Sequence, residues 1–361
     1  MKSSYRNIDI EIFGESHSSE IGLLFQGVPK GIEVDFEKLN QFLDRRKSGK
    51  GAHSTERKEP DLPIFTEGLS DNSTNGGLIK AIIKNTDVKA SSYEELSFIP
   101  RPSHADYVSF IQSGNKGFST GGGKFSGRMT APLCIAGYIA KEYLAEKGIE
   151  VLAYVTAIGK IKGVSYREMD LSLKDIKNIQ HFPIPTIDDE SREKMMMEIE
   201  NAKKEMDSVG GIIECIVFGL EAGIGDTMQL GMESRIASSV FGVPAVKGIE
   251  FGQGFEITEM RGSEANDAFQ IKNGKIETKT NKSGGINGGI SNGMPITLRV
   301  AIRPTPSIGK TQTSVNLKTG EEIQINIKGR HDACIVPRAV PCIESAVALA
   351  IMDASMDKLE K

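Results

Sequence analysis

The sequence is poor in the residue types that build metal sites and disulfide frameworks. Its 361 residues include no tryptophan, four cysteines and five histidines. The cysteines are widely spaced in apolar surroundings, without a CxxC pair or grouped histidine partners. This usage favours small core thiols over a zinc site or a disulfide framework. We therefore expect no metal and a reducing compartment such as the cytoplasm. The four are Cys134, Cys215, Cys334 and Cys342.

Positive charge in excess and targeting signals are also lacking. The net charge is −4, so affinity for anions has to come from local clusters rather than from an overall cationic field. Aromatic residues make up 6% of the chain, few for stacking on nucleic acid bases. We find no signal-peptide pattern and no apolar stretch approaching the roughly 18 to 20 residues that span a bilayer. We expect neither nucleic acid nor a membrane as a partner.

The hydrophobic pattern predicts strands that alternate with long helices. Period-two alternation or apolar runs predict strands, and apolar residues at helical spacing predict helices. No linker separates two parts of the chain, so we predict one domain over residues 1–361 with layered sheets and helices, α+β or α/β. The predicted strands lie in 8–15, 21–25, 151–163, 210–220, 294–304 and 321–329, with short strands in 62–86. The predicted helices follow a cap at Asp35 and lie in 129–148, 188–208 and 338–353.

Two motifs in the first half predict a site for a small polyanion. RPSHAD (101–106) and GGGKFSGR (121–128) together supply two arginines, a lysine, a histidine and several glycines. Glycine lets backbone N–H groups approach a ligand closely, and guanidinium forks match phosphate and carboxylate oxygens. The helix predicted just after Arg128 adds unpaired N–H groups and the positive end of its dipole.

Histidines and arginines elsewhere extend this prediction. Three of the five histidines lie in glycine- or arginine-rich motifs, where a group that titrates near neutral pH can move a proton. Five arginines fall at or near the ends of predicted elements, more than one phosphate needs. The histidines are His17, His104 and His331, and the arginines are Arg46, Arg101, Arg128, Arg303 and Arg330.

Two well-known phosphate-binding motifs do not fit. GKT at 309–311 resembles the end of a P-loop, but the glycine required five residues earlier is Pro304. Gly121 and Gly123 have the first spacing of a dinucleotide fingerprint, but the third position is Ser126 and no strand precedes them. A P-loop nucleotide site is therefore excluded, and the dinucleotide match is weak.

The set of motifs as a whole resembles the chorismate synthase family over about residues 12–353. FGESH, the basic loop LDRRKSGKGAHSTERKEPD, RPSHAD, GGGKFSGR, RGSEAND, GGINGGISNG and GRHDACIVPRAVPCIESA occur in the order and approximate spacing of that family. The resemblance implies an α+β fold, a β-α-β sandwich, in a homotetramer. It implies elimination of phosphate from 5-enolpyruvylshikimate 3-phosphate to give chorismate. It further implies a requirement for reduced FMN without net redox change, and it leaves open whether NADPH supplies the electrons.

The resemblance also implies roles for individual residues. His17 would act near the departing phosphate, His104 would protonate the reduced flavin, and Asp332 would assist removal of the ring hydrogen. Substrate anions would be bound by Ser16, Arg46, Arg101, Arg128 and Arg330. The flavin would be bound by Lys124, Phe125, Ser126, Ala245, Gly288, Arg303, Thr305, Ser307 and Arg330.

The chain departs from the family pattern at several positions. Ser18 and Ser103 stand where the family usually has glycine, and Ala52 stands where a binding arginine is expected. These departures bear on substrate affinity more than on reaction type. Separately, two other classes of function remain as alternatives. One is a phosphate-ester enzyme with the same loops but no flavin, and the other is a non-catalytic module that binds anions or nucleic acid.

Overall fold

Two antiparallel sheets enclose a layer of helices in the computed structural model of this protein. The structure describes residues 1–47, 59–86, 98–116, 118, 120–169, 171–327 and 332–357. The strands are β1 (Lys2–Ser4), β2 (Asp9–Gly14), β3 (Glu20–Gln26), β4 (Ile64–Glu67), β5 (Leu69–Ser70), β6 (Ser73–Thr74), β7 (Ile79–Lys84), β8 (Glu150–Ile158), β9 (Ile161–Lys162), β10 (Gly211–Phe218), β11 (Val246–Phe251), β12 (Phe269–Lys272), β13 (Lys275–Thr278), β14 (Ile286–Asn287), β15 (Ile290–Ser291), β16 (Ile296–Ile302), β17 (Gln312–Val315) and β18 (Glu322–Ile325). The α-helices are α1 (Phe36–Arg46), α2 (Asp106–Gln112), α3 (Thr130–Ala145), α4 (Leu173–Ile179), α5 (Asp189–Lys204), α6 (Met232–Phe241), α7 (Gly262–Ala265) and α8 (Val336–Met356).

The first sheet has the order β1-β2-β3-β7-β4, and the second has the order β11-β16-β10-β8-β9. Helices α3 and α8 pack against each other and reach both sheets, α3 on β3 and α8 on β8 and β10, with α1 and α6 beside them. One hydrophobic cluster runs from the first sheet through these helices into the second. This β-α-β arrangement confirms the predicted fold class. The continuous core supports the expectation of one domain, which stays a prediction.

Helix α8 is the centre of the middle layer. Almost all of its residues are buried, including Glu344, whose side chain is fully buried. Arg45 Nη1 and Lys141 Nζ each donate to Glu344 Oε2 at 2.9 Å, and the Ala153 N–H donates to Oε1 at 3.0 Å. Burial opposes the charged form, but the two cations hold the pKa of Glu344 down, at about 2. The ion cluster ties α8 to α1, α3 and β8.

One expectation from the apolar runs was wrong. Helix α8 is 21 residues long and contains an 18-residue stretch with a mean hydropathy of 1.5, so it is long and apolar enough to cross a membrane. However, 94% of this stretch is buried inside the protein. A helix covered on all sides by other elements is apolar because it is core, not because it faces lipid.

The long predicted elements are confirmed. Asp35 accepts hydrogen bonds from the N–H groups of Glu37 and Lys38, as expected of an N-cap. Strand β10 is central, with β8 on one side and β16 on the other. All four cysteines are buried and free, as their apolar surroundings predicted. The sequence did not predict α2, α6 or the β12–β13 hairpin.

Candidate active site

A cleft of about 1010 Å³ lies where loops from both sheets meet the start of α8. Its volume is at the upper end for small-molecule sites, which run from about 300 to 1000 Å³. Twelve of the residues predicted from the sequence line it, although they come from distant parts of the chain. They are His17, Arg46, His104, Lys124, Phe125, Ser126, Arg128, Ala245, Arg303, Thr305, Ser307 and Asp332.

His104 is held by a buried carboxylate. Its Nδ1 lies 2.6 Å from Asp106 Oδ1, and Asp106 is 2% exposed at the first position of α2. Arg101 donates to the same carboxylate through its backbone N–H (3.0 Å), Nε (2.7 Å) and Nη2 (2.9 Å). Burial would raise the pKa of Asp106, but the hydrogen bonds from Arg101 and His104 outweigh it and hold the pKa well below its usual range. Asp106 is thus an anion at neutral pH.

The contacts of Nδ1 decide which tautomer of His104 the site favours. Arg101 Nη2 lies 3.0 Å from the same nitrogen, but it is a donor that already binds Asp106. The shorter contact, to Asp106, assigns a proton to Nδ1. Nε2 is then left for the cleft, where it lies beside Gly122: a Cβ placed on that glycine would be 3.6 Å away. An imidazole oriented in this way can accept or return a proton at Nε2.

Two buried arginines share one buried carboxylate. Arg46 is the last residue of α1, and Arg128 lies in the 3-10 helix at Gly127–Met129, just before α3. Their Nη atoms donate to the two oxygens of Asp61, Arg46 to Oδ2 and Arg128 to Oδ1. Arg128 Nε also donates to Asn85 Oδ1 at 3.0 Å. Burial lowers the pKa of Arg128, and the charge of Asp61 opposes this effect.

Asp332 is anchored just before α8. Its carboxylate accepts a hydrogen bond from Arg338, and its backbone carbonyl accepts one from Thr305 Oγ1 at 2.8 Å. Arg338 Nε donates to the carbonyl of Arg46 at 3.0 Å. Arg338 therefore connects Asp332 to the end of α1. A carboxylate fixed in this way at the cleft surface can accept a proton from a bound ligand.

The glycine-rich loop brings the N-terminal motif to the site. Gly123 O accepts from the N–H of Ser16 at 3.4 Å and from the N–H of Ser126 at 3.3 Å, so FGESH lies against GGGKFSGR. Gly122 has φ +93°, in the region that favours glycine. Ser103 has φ +58°, which explains why glycine suits that position better.

Three of the predicted residues that the structure describes do not line the cleft, and a fourth predicted residue lies outside the described part of the chain. Ser16, the residue before His17, is buried, and the guanidinium of Arg101 faces Asp106, His104 and Ser307. Gly288 lies in the turn between β14 and β15, and Arg330 lies outside the described residues. His331 and Ala52 are likewise outside them.

Residues that the sequence reasoning missed are mostly acidic. Glu59 and Asp61 line the cleft next to the arginines, and Asp106 and Arg338 hold His104 and Asp332. Their signals were present: EPD ends the basic loop, D ends RPSHAD, and VPR opens α8. A search for anion-binding groups favours cations and overlooks the carboxylates that orient them. Elsewhere, Lys310 of GKT pairs with Asp207 at 2.7 Å, so it serves a surface ion pair.

The site defines an enzyme class that handles a multiply anionic small molecule with proton transfer. Comparison with known proteins is specific. The family model described as chorismate synthase matches residues 8–356. The chorismate synthase of Thermococcus kodakarensis is 43% identical over 346 residues, covering 96% of this chain and 95% of that protein. The chorismate synthase of Lancefieldella parvula is 43% identical over 357 residues, covering 96% and 94%.

A solved structure gives the same result. A crystal structure of chorismate synthase superimposes with a TM-score of 0.78 and 25% sequence identity, covering 99% of this chain and 94% of that chain. This chain belongs to the chorismate synthase family. It is accordingly a carbon–oxygen lyase of aromatic amino acid biosynthesis that acts on a small molecule.

Proposed function

We propose that this protein converts 5-enolpyruvylshikimate 3-phosphate to chorismate and inorganic phosphate. The reaction breaks the bond from C3 to the phosphate oxygen, which leaves with the electron pair, and removes one ring hydrogen as a proton. The observation that carries the proposal is the convergence of twelve family-motif residues on one cleft. Preorganised cations lower the barrier to departure of an anion because they meet charge as it develops.

The residues fit a phosphorylated flavin and a polyanionic substrate. Arg46 and Arg128 are 4% and 7% exposed, yet Arg46 Nε and Arg128 Nη2 are buried without a hydrogen-bond partner among the described residues. Buried N–H groups of this kind are costly unless a ligand satisfies them. Reduced FMN, when bound, supplies an electron-rich ring system that stabilises charge changes in the substrate without net oxidation. We assign its binding to Lys124, Phe125, Ser126, Ala245, Arg303, Thr305 and Ser307, with Gly288 and Arg330 as further predicted positions.

The proton-handling groups have separate tasks. His104, whose Nδ1 is held by Asp106, accepts or returns a proton at Nε2 on the flavin side of the cleft. Asp332, anchored by Arg338, takes up the ring proton. His17, on the loop that lies against Gly123, serves the leaving phosphate. Arg101 supports this arrangement by holding Asp106, and Ser16 does so through its backbone contact with Gly123; direct binding of the substrate by these two residues stays a prediction.

An anaerobic assay tests the proposal. The purified protein is mixed with chemically reduced FMN and 5-enolpyruvylshikimate 3-phosphate, and chorismate and phosphate are measured in parallel. We expect equimolar release of both products. Absence of turnover with fully reduced flavin under strict exclusion of oxygen would refute the proposed reaction. Adding NADPH and oxidised FMN in air then shows whether the enzyme reduces its own flavin.

We further propose a cytoplasmic homotetramer. Exposed apolar side chains cluster on the β12–β13 hairpin and the 3-10 helix at Gly254–Glu259, where Phe255, Phe269, Ile271 and Ile276 are 73% to 81% exposed. Apolar groups at this density on a surface mark interaction sites. Light scattering measures the mass in solution. A monomer at micromolar concentration would contradict the tetramer without affecting the proposed reaction.

A further inference from the structure

Asp61 is an unusual residue for the floor of an anion-binding cleft. It is 1% exposed and lines the cleft together with the arginines that it binds. A carboxylate at this position carries the same charge as the proposed ligand and uses the same donors that the ligand needs. Its presence therefore requires an explanation beyond simple neutralisation.

The backbone holds Asp61 in place at some cost. Its φ is +48°, in the left-handed region that residues with a Cβ seldom adopt. Pro60 and Pro63 flank it and restrict the chain on both sides. Neighbouring Glu59 is held independently, because its Oε2 accepts from the N–H of Thr86 at 3.0 Å and from Thr86 Oγ1 at 2.9 Å. The segment is thus fixed so that one carboxylate lies between two guanidinium groups.

Asp61 accepts hydrogen bonds from only some of the N–H groups of Arg46 and Arg128. Each donates one Nη to Asp61, while Arg46 Nε and Arg128 Nη2 stay buried without a hydrogen-bond partner among the described residues. The nearest carboxylate oxygen of Glu59 is 3.9 Å from Arg128 Nη2, too far for a hydrogen bond. An oxyanion that enters the cleft can bind the remaining N–H groups, but it has to share the arginines with Asp61.

We propose that Asp61 is an internal counter-anion, a positioning residue that pairs Arg46 with Arg128 in the free enzyme and limits how tightly the cleft retains inorganic phosphate. Two buried like charges repel, so without a shared anion the arginines would move apart or recruit one from solution. With Asp61 present, the arginines meet a departing phosphate already oriented. After the bond has broken, the carboxylate competes for the same donors and favours release. The inference rests on the proposed function only in taking phosphate as the ligand.

The test measures binding of inorganic phosphate without flavin or turnover, so it is independent of the proposed reaction. Asp61→Asn keeps the shape and removes the charge. We expect its affinity for phosphate, from calorimetry or from the phosphate dependence of the melting temperature, to rise about tenfold or more over wild type. Inorganic phosphate should also inhibit the variant at correspondingly lower concentrations. Asp61→Glu, which keeps the charge, should stay close to wild type.

Asp353→Asn is the matched control. Asp353 is also buried and pairs with a buried arginine, Arg235, at 3.1 Å, but neither lines the cleft. It should lose stability and leave phosphate affinity unchanged, because it breaks a comparable pair elsewhere. Equal phosphate affinity in Asp61→Asn, Asp353→Asn and wild type would overturn the proposal.

A folding defect is also informative. If Asp61→Asn is recovered folded only when phosphate or sulfate is present, the exogenous anion has replaced the carboxylate, which supports the proposal. If neither anion restores the folded protein while Asp353→Asn folds, Asp61 has a purely structural role and the proposal fails.

Discussion

Replacing Asp106 by asparagine tests whether this carboxylate works through His104. The substitution keeps size and shape but puts an NH2 group where one carboxylate oxygen stood. Asp106 accepts four hydrogen bonds, three from Arg101 and one from His104 Nδ1. If the amide oxygen keeps the bonds to the Arg101 backbone N–H and Nε, the NH2 group faces Nδ1 and assigns the proton to Nε2 instead. His104 then presents the wrong tautomer to the cleft.

The expected loss follows from the scale of general acid–base catalysis, about 100- to 10,000-fold in rate. Because Arg101 retains most of its bonds and the ring stays in place, we expect kcat to fall about 100-fold and KM to change less than about threefold. Single-turnover measurements with chemically reduced FMN under anaerobic conditions separate this chemical step from flavin reduction. Asp267→Asn is a control, since Asp267 accepts from the Lys282 and Ser283 N–H groups and does not line the cleft.

A double-mutant cycle shows whether the effect depends on His104. In the His104→Ala background, the Asp106→Asn change should have almost no further effect on kcat, since residues acting as a unit are not additive. An undiminished loss in that background would refute the reasoning and assign Asp106 a role of its own. A variant whose melting temperature lies far below that of wild type, with KM raised and kcat lowered together, would point to collapse of α2 instead.

Three further predictions concern stability and backbone geometry. The pKa of Glu344 is about 2 in the folded protein, against 4.5 for a free glutamate, so its stabilising contribution is complete above pH 4.5 and is lost as the pH falls towards 2. About 3 kcal/mol of the free energy of unfolding should disappear between these pH values. The free energy of unfolding of Glu344→Gln should lack this pH dependence. Gly122→Ala places a Cβ at φ +93° next to His104 and should cost about 1 to 2 kcal/mol in chemical denaturation and lower turnover; unchanged values would contradict the described loop. Ser103→Gly should raise the free energy of unfolding by up to about 1 kcal/mol, because it relieves a left-handed φ, and a loss of stability would show that the serine side chain matters more.

The long elements could be predicted from the sequence because their signals are local. The alternation before Gly14, the cap at Asp35 and the apolar runs of β10 and α8 each lie within one segment. Helix α6 was missed because it lies in a glycine-rich region, where composition favours loops, although Met232 and Ile236 are fully buried on one face. Pairing of strands distant in sequence leaves no comparable local signal.

The candidate site could be predicted in its residues but not in their partners. Motif resemblance identified His104 and Arg128, and the structure brings both to the cleft. It could not show that Arg101 faces Asp106 rather than the cleft, or that Asp61 lies between two arginines. Those facts depend on side-chain directions after folding. The predicted roles of the individual residues stay predictions until the variants are measured.

Helix α8 has a consequence for how the specificity of this enzyme can change. Its first turns carry Arg338 and Cys342 into the cleft, and the helix packs on α3 and on strands β8 and β10 of the second sheet. A substitution in those first turns would disturb the site and the core at once. Variation among related enzymes should therefore concentrate on exposed side chains at the cleft edge, such as Phe241 at the end of α6 and Lys247 in β11, which can change without repacking the interior. The fold thus divides the cleft into a side that is costly to alter and a side that is open to adaptation.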